Sequence, residues 1–322
     1  MSLPEGFSIG PLTVLELTGV DRNKILNNLC TQDLRSLQSG QSRESFMLDV
    51  KGRTISHGSV ACLDSRTLWI SSPGQAHRLV PHIDRYIIRE DAIVRDASDE
   101  FLAYLLRPES PWIQTHLAEL LETKECSEVF GKQAISIQVP WLGPGTLLVL
   151  VTPGTLCPEI SELSSVCHPS QTPNLQTHDG SAWETLRIKN FWPWYGVDID
   201  ERNLPQEIGI DARAISFNKG CYLGQETVAR LDALGQVQKK LALVELQTDS
   251  AWQFQGPTEW MLNGKSIGTL TSASPSNDKT ESNKRLWVGL AMLRRGHTEP
   301  GSQFATDDGI FVNVLNLLPH QQ

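Results

Sequence analysis

The chain has 322 residues, 39% hydrophobic and 20% charged, the proportions of an ordinary globular protein long enough for two domains. Its 28 basic and 37 acidic residues give a net charge of −9, without the broad basic face that supplies most nucleic-acid affinity, so direct tRNA or DNA binding is not expected. No run approaches the ~18 apolar residues of a membrane span, and residues 1–10 carry neither a basic start nor an apolar run, so the protein reads as cytoplasmic.

Leu12 to Leu17 alternates apolar and polar side chains like a strand, and Asp21 is placed to cap a helix carrying Ile25, Leu26 and Leu29. Residues 46–63 predict a hairpin turning at Lys51-Gly52, followed by a strand at Leu68-Trp69-Ile70. Leu79, Ile83 and Ile87 form a helical stripe that Pro81 begins or kinks. From Phe101 to Val166 the order reads strand, helix (111–121), strand (134–139), strand (146–152), helix (158–166), an α+β arrangement of the ferredoxin-like kind. Residues 167–180 read as a polar loop. Ser181-Ala182-Trp183-Glu184 has the capping-box pattern, so a helix begins there and ends near the aromatic cluster 191–195. Beyond Lys239-Lys240 the chain turns to short strands, with a two-residue hairpin signal at Asn263-Gly264, the pattern of a small antiparallel barrel.

The cysteines stand at 30, 62, 126, 157, 167 and 221 without a Cys-X-X-Cys, which argues against a disulfide framework and against a self-contained zinc or iron–sulfur site. Cys167-His168 and His178 match no standard metal spacing, and no metal is expected. One cysteine stands apart. In Lys219-Gly220-Cys221-Tyr222-Leu223-Gly224-Gln225-Glu226 it lies between two glycines, after the strand-like 214–217 and before the helix-like 225–231. A lysine two residues away and a helix N-terminus both favour a thiolate. Read from residue type alone, Cys221 is a buried small side chain, the commoner use of cysteine.

This segment resembles the hallmark of the YgfZ group, folate-binding relatives of the glycine-cleavage T-protein. The likeness extends to Leu17-Thr18-Gly19-Val20-Asp21 with Thr31-Gln32-Asp33-Leu34, and to Phe46 through Arg53. It includes Thr185-Leu186-Arg187-Ile188 with Pro193-Trp194-Tyr195-Gly196, and residues 264–272. It implies a T-protein-like α+β body over 1–235, made of two modules (about 1–95 with 181–235, and 96–180), and a C-terminal antiparallel β-barrel over 238–322. It implies tetrahydrofolate binding, with Met47, Asp49, Arg187, Lys189, Trp194, Tyr222, Gln225, Glu226 and Arg230 around the ligand. Cys221 would be the reactive thiol, with Lys219 beside it. It also implies an accessory role for iron–sulfur client proteins, tied to tRNA modification only indirectly.

Two positions depart from that pattern. Where T-proteins carry paired aspartates, this chain has Ser56-His57, which argues against a conventional aminomethyltransferase. Where the family places a glutamate to accept pterin N–H groups, this chain has Lys189, an ammonium with donors only, so folate binding is expected to be weakened. A tetrahydrofolate-dependent aminomethyl- or methyltransferase and a non-catalytic binding module are the alternative functions. The folate cavity is expected between the 46–57 hairpin, the 183–195 helix and turn, and the 219–230 motif.

Overall fold

The computed structural model describes residues 6–120, 124–154, 168–169, 182–276 and 284–317, and three antiparallel-rich sheets make up its frame. The first sheet runs in the order Ser42–Leu48, Thr54–Cys62, Thr67–Ser71, Thr13–Thr18, Ile93–Asp96. Helices Arg22–Leu29 and Ala76–Asp84 cover one face, burying Ile25, Leu26, Leu79 and Ile83 against Leu15, Leu17 and Trp69. Pro81 sits inside the second helix, which ends at Asp84, so Ile87 lies past its end and not on the expected stripe.

The second sheet runs 168–169, Gly6–Gly10, Leu102–Leu106, Leu147–Val151, Ala134–Gln138, Cys126–Val129. Its period of two is visible in the core. Ala103, Leu105, Leu148 and Leu150 pack toward the first sheet and Trp183. Tyr104, Leu106, Leu147 and Val149 pack the other way, with Trp112 and Ile113 of helix Pro111–Leu120. Burial on both faces explains why Leu147–Val151 is a continuous apolar run with no polar alternation. The short strands Gly6–Gly10, Ile93–Asp96 and Cys126–Val129 have no clear sequence signal. The first of them leaves residues 11–95 to pair with Leu102–Leu106, so the N-terminus crosses the module boundary expected near 95. The helix expected at 158–166 and the loop 167–180 lie outside the described residues, apart from the pair 168–169.

The third sheet runs Thr258–Leu262, Lys265–Pro275, Arg285–Arg294, Lys239–Thr248, Phe311–Val314, Gln303–Ala305, curled into a half-barrel. Asn263 and Gly264 both have left-handed φ values (52° and 70°), as a tight hairpin turn of this kind requires. Between the two edge strands, the Asp307 N–H donates to the Met261 carbonyl at 2.8 Å. One face of the curl holds Trp260, Leu270 and Val312. The other, through Leu241, Leu243, Val288 and Leu290, packs on Phe46, Ile188, Phe191 and Ile215 of the body.

Candidate functional site around the Cys221 turn

The approach to the motif is not the strand expected at 214–217. Asp211–Ala214 is a single helical turn, and Ile215 is extended. Ser216 donates one backbone bond to Thr31 (2.9 Å), and Thr31 Oγ1 returns one to the Ala214 carbonyl (2.6 Å). The open side of strand Ser42–Leu48 is already met by Cys30 and Thr31, so 214–217 has no sheet edge on which to form a ladder.

Cys221 is exposed, whereas Cys30, Cys62 and Cys126 are buried free thiols. Burial pushes Cys30 and Cys126 each up to about 12, and Cys157 and Cys167 lie outside the described residues. The turn that carries Cys221 is fixed on both sides. Before it, the Lys219 ammonium is turned inward onto carbonyls of residues 27, 30 and 32. After it, the Leu223 N–H donates to the Asn28 carbonyl at 2.8 Å. Gly224 then takes φ 76°, and helix Gln225–Leu234 follows, closed at its far end by the left-handed Gly235. The Gln225 Oε1 accepts the Tyr222 N–H at 3.2 Å. Glu226 and Arg230 are exposed on this helix, and Tyr222 is half-buried.

The hairpin at Lys51-Gly52 docks directly on the motif. Thr227 Oγ1 donates to the Lys51 carbonyl at 2.9 Å, and Gly52 lies against Gly224 with no room for a side chain. Asp49 is occupied locally, its Oδ1 accepting the N–H groups of Lys51 (2.8 Å) and Arg53 (2.9 Å). Met47 is fully buried in the core of the first sheet.

Arg187, on helix Ala182–Lys189, is 1% exposed and uses all five of its N–H donors. Two go to the Glu184 carboxylate, one to Asp198 (2.5 Å), one to the Trp192 carbonyl (2.9 Å) and one to Ser272 (2.8 Å). Asp198 in turn accepts from Thr271 and Ser272 of the half-barrel, so this guanidinium ties body to barrel and has no proton left for a ligand. Trp194 is buried beside it, among Trp183 and Trp192.

Ser56 and His57 are buried as well. Ser56 Oγ accepts the Trp69 indole N–H at 3.3 Å. His57 Nε2 is 2.7 Å from Glu44 Oε1, and the Arg213 guanidinium pairs with Glu44 Oε2 at 2.5 Å. Burial raises the Glu44 carboxyl, but the Arg213 charge and the His57 hydrogen bond outweigh it and hold it below its usual range.

A cavity of about 560 Å³ opens at the seam of the second sheet and the half-barrel. Lys189, Asn190, Arg107 and Glu109 line it, together with Leu142, Leu186, Leu243, Glu245, Trp287 and Val288. Of the residues assigned to the ligand from sequence, Lys189 is the one that lines this cavity. The hairpin and the motif, expected as two of its walls, are instead packed against each other. Glu44, Arg213 and Asp198 went unremarked in the sequence, as did Arg107, Glu245 and Trp287. Arg213 meets Glu44 from 169 positions away and Asp198 meets Thr271 from 73, separations that no local spacing marks. Among the described residues no helix is long and apolar enough to cross a membrane, and no group of three or more His, Cys, Asp or Glu side chains is placed to hold a metal ion.

No family model matches the chain. It is 24% identical over 317 residues to the tRNA-modifying protein YgfZ of Yersinia pestis, covering 97% of this chain and 91% of that protein. The same-named protein of Colwellia psychrerythraea is 24% identical over 283 residues, covering 86% of this chain and 83% of the relative. A chloroplastic protein of Arabidopsis thaliana, named as a transferase, is 27% identical over 274 residues; the match takes in 80% of this chain but only 59% of that longer protein. The fold is that of the glycine-cleavage aminomethyltransferase T of Bartonella henselae, with a TM-score of 0.76, 15% identity, and coverage of 98% of this chain and 85% of that one. The chain is thus similar over nearly its whole length to the YgfZ-type proteins and has the fold of the glycine-cleavage T-protein.

Proposed function

We propose that this protein is a cytoplasmic, folate-binding accessory factor that supports iron–sulfur proteins through the thiol of Cys221, and through them tRNA modification. The observation that carries this reading is the contrast among the described cysteines. Three are buried, and the fourth stands exposed on a turn tied down on both sides. A thiol held in the open by that much structure is built to meet a second molecule. Phe217, four residues before it in the chain, is 47% exposed, an apolar side chain on the approach to the turn that suits a protein partner. The relatives named as tRNA-modifying proteins support the link to tRNA modification. The net charge of −9 favours an indirect one.

The seam cavity is the candidate folate site. Leu142, Leu186, Leu243 and Val288 suit a flat ring, Glu109 and Glu245 offer acceptors for ring N–H groups, and Arg107 suits the carboxylate tail. The Trp287 indole N–H, buried without a hydrogen-bond partner, is a further donor in that wall. When bound, a reduced folate supplies a carrier for one-carbon units. Lys189 is the misfit, a donor-only group where a pterin needs acceptors. An aminomethyltransferase is the less favoured reading, because the carboxylate nearest Ser56-His57 is Glu44, and it is consumed by His57 and Arg213.

The test is complementation. In cells lacking the protein, the wild-type chain should restore the activity of iron–sulfur enzymes, including those that methylthiolate tRNA, and Cys221→Ser should not. Full restoration by the serine variant would sink the thiol reading. Cell fractionation checks the compartment.

A further inference from the structure

Lys219 stands two residues from the thiol, yet the hydrogen bonds of its ammonium go elsewhere. Nζ donates to the carbonyl oxygens of Asn27 at 2.7 Å, Cys30 at 2.8 Å and Gln32 at 2.7 Å. It also lies 4.8 Å from the centroid of the Tyr222 ring, in reach of a cation–π contact. An ammonium has three protons, and this set takes all three. Asn27 and Cys30 belong to the end of helix Arg22–Leu29, where carbonyls lack intrahelical partners and the helix dipole is negative. That helix has no basic residue in its own last turn. Lys219 supplies the missing cation from 189 positions away from Cys30. Burial pulls its pKa down to about 8, so at neutral pH the charge is kept at a cost that the three carbonyls offset.

We infer that Lys219 is the positioning residue of the thiol turn: an internal cation that fastens residues 219–223 to the end of the first helix, and not a group that polarises or protonates Cys221. The inference rests on the proposed thiol function only for the purpose of the turn, because the fastening itself is read from contacts. The Leu223 N–H closes on Asn28 of the same helix, so the turn is clamped to one element on both sides of the cysteine. The other groups that face the ammonium are the Asp33 carboxylate and the Cys30 thiol, and the latter stays neutral because burial pushes it up to about 12. Removing the charge while keeping the stem should therefore free the turn.

Two readouts on the full chain test this, with Lys219→Met replacing the ammonium by a neutral side chain of similar length. The first is amide hydrogen exchange at Leu223, measured below pH 8 so that the wild-type ammonium is charged. Protection there should fall about ten-fold or more, the scale of a lost charge-assisted hydrogen bond. The Leu315 amide, bonded to Leu243 in the half-barrel, should not change. The second is the pH profile of Cys221 alkylation, whose midpoint should coincide in the two proteins. Unchanged protection at Leu223, or a midpoint displaced to higher pH in the variant, overturns the inference. A third readout needs no variant: the wild-type Lys219 ammonium should give a slowly exchanging side-chain NMR signal, and an ammonium exchanging like a solvated lysine overturns it equally. None of these depends on iron–sulfur enzyme activity, so failure of the functional reading would leave them intact.

Discussion

Gly224 and Gly52 touch backbone to backbone: a Cβ on Gly224 would lie 2.5 Å from the Gly52 Cα, and both residues have φ of 76°. The hairpin and the start of the motif helix can approach this closely only because neither carries a side chain. Gly224→Ala therefore meets two costs, about 1–2 kcal/mol for the left-handed backbone and about 1–3 kcal/mol for overpacking. Gly235 is the internal control, since its φ of 65° carries the backbone cost while nothing lies within 4 Å of its Cβ position. Urea unfolding should show Gly224→Ala losing clearly more stability than Gly235→Ala. Equal losses would mean that the contact relaxes at no cost.

Arg187 offers a second stability test. In Arg187→Met, Asp198 and Glu184 lose their shared cation, and Asp198 stays buried with only hydroxyl and amide donors. Breaking a buried pair on one side costs about 3–5 kcal/mol. Chemical denaturation of the two proteins at neutral pH checks the size, and a loss within about 0.5 kcal/mol would show that the hydroxyl and amide donors suffice for Asp198.

The sheets, the hairpin turns and the motif helix could be read from the sequence because their signals are local. Asn263-Gly264 fixes a turn, and Gly224 and Gly235 bracket a helix. The two-faced burial of Leu147–Val151 leaves a continuous apolar run. The short strands Gly6–Gly10 and Cys126–Val129 could not be read this way, since each exists only through pairing with a distant partner. The site divides along the same line. Cys221 is marked by its own glycines. The jobs of Arg187, Lys219 and Glu44 depend on atoms up to 192 residues away, and residue type cannot show whether a guanidinium faces a ligand or two carboxylates.

Glu44 gives the clearest pH dependence. Its folded-state pKa lies below the ordinary 4.5, because Arg213 and His57 favour the charged form more than burial opposes it. The stability it contributes is present above pH 4.5 and is lost as pH falls through the lower folded value. Glu44→Gln should be less stable at neutral pH by about 3 kcal/mol, having lost the buried carboxylate that pairs with Arg213. Its stability should also fall less steeply than the wild type's below pH 4.5. Parallel acid-unfolding curves for the two proteins would contradict this.

Lys189 is the lever on the ligand. It lines the seam cavity together with Glu109, Glu245 and Arg107, so a glutamate in its place would gain acceptors for a pterin while Arg107 remains as a cation in the lining. Lys189→Glu should bind tetrahydrofolate about ten-fold more tightly, a change of about 1.4 kcal/mol by calorimetry. Unchanged or weaker binding would show that no pterin N–H group meets this position, and would place the ring elsewhere in the chain.

Cysteine reactivity is the most direct test of the thiol turn. Cys30, Cys62 and Cys126 are buried, and Cys30 and Cys126 are pushed up to about 12, so all three should resist alkylation in the native protein. Cys221 is exposed and should be the first of these four to react. Brief treatment with iodoacetamide at neutral pH, followed by peptide mass spectrometry, assigns the label residue by residue. Cys221→Ser replaces a side chain that makes no packing contact in the core clusters, so its stability should stay within about 0.5 kcal/mol of wild type, as for other exposed substitutions. The expected pattern is therefore a variant with wild-type unfolding, no early label among these four cysteines, and no support for iron–sulfur enzymes. Early label on Cys30, Cys62 or Cys126 would show that the native core opens more readily than its burial implies. A destabilised Cys221→Ser would make the side chain part of the fold, and its loss of activity would then say nothing about thiol chemistry.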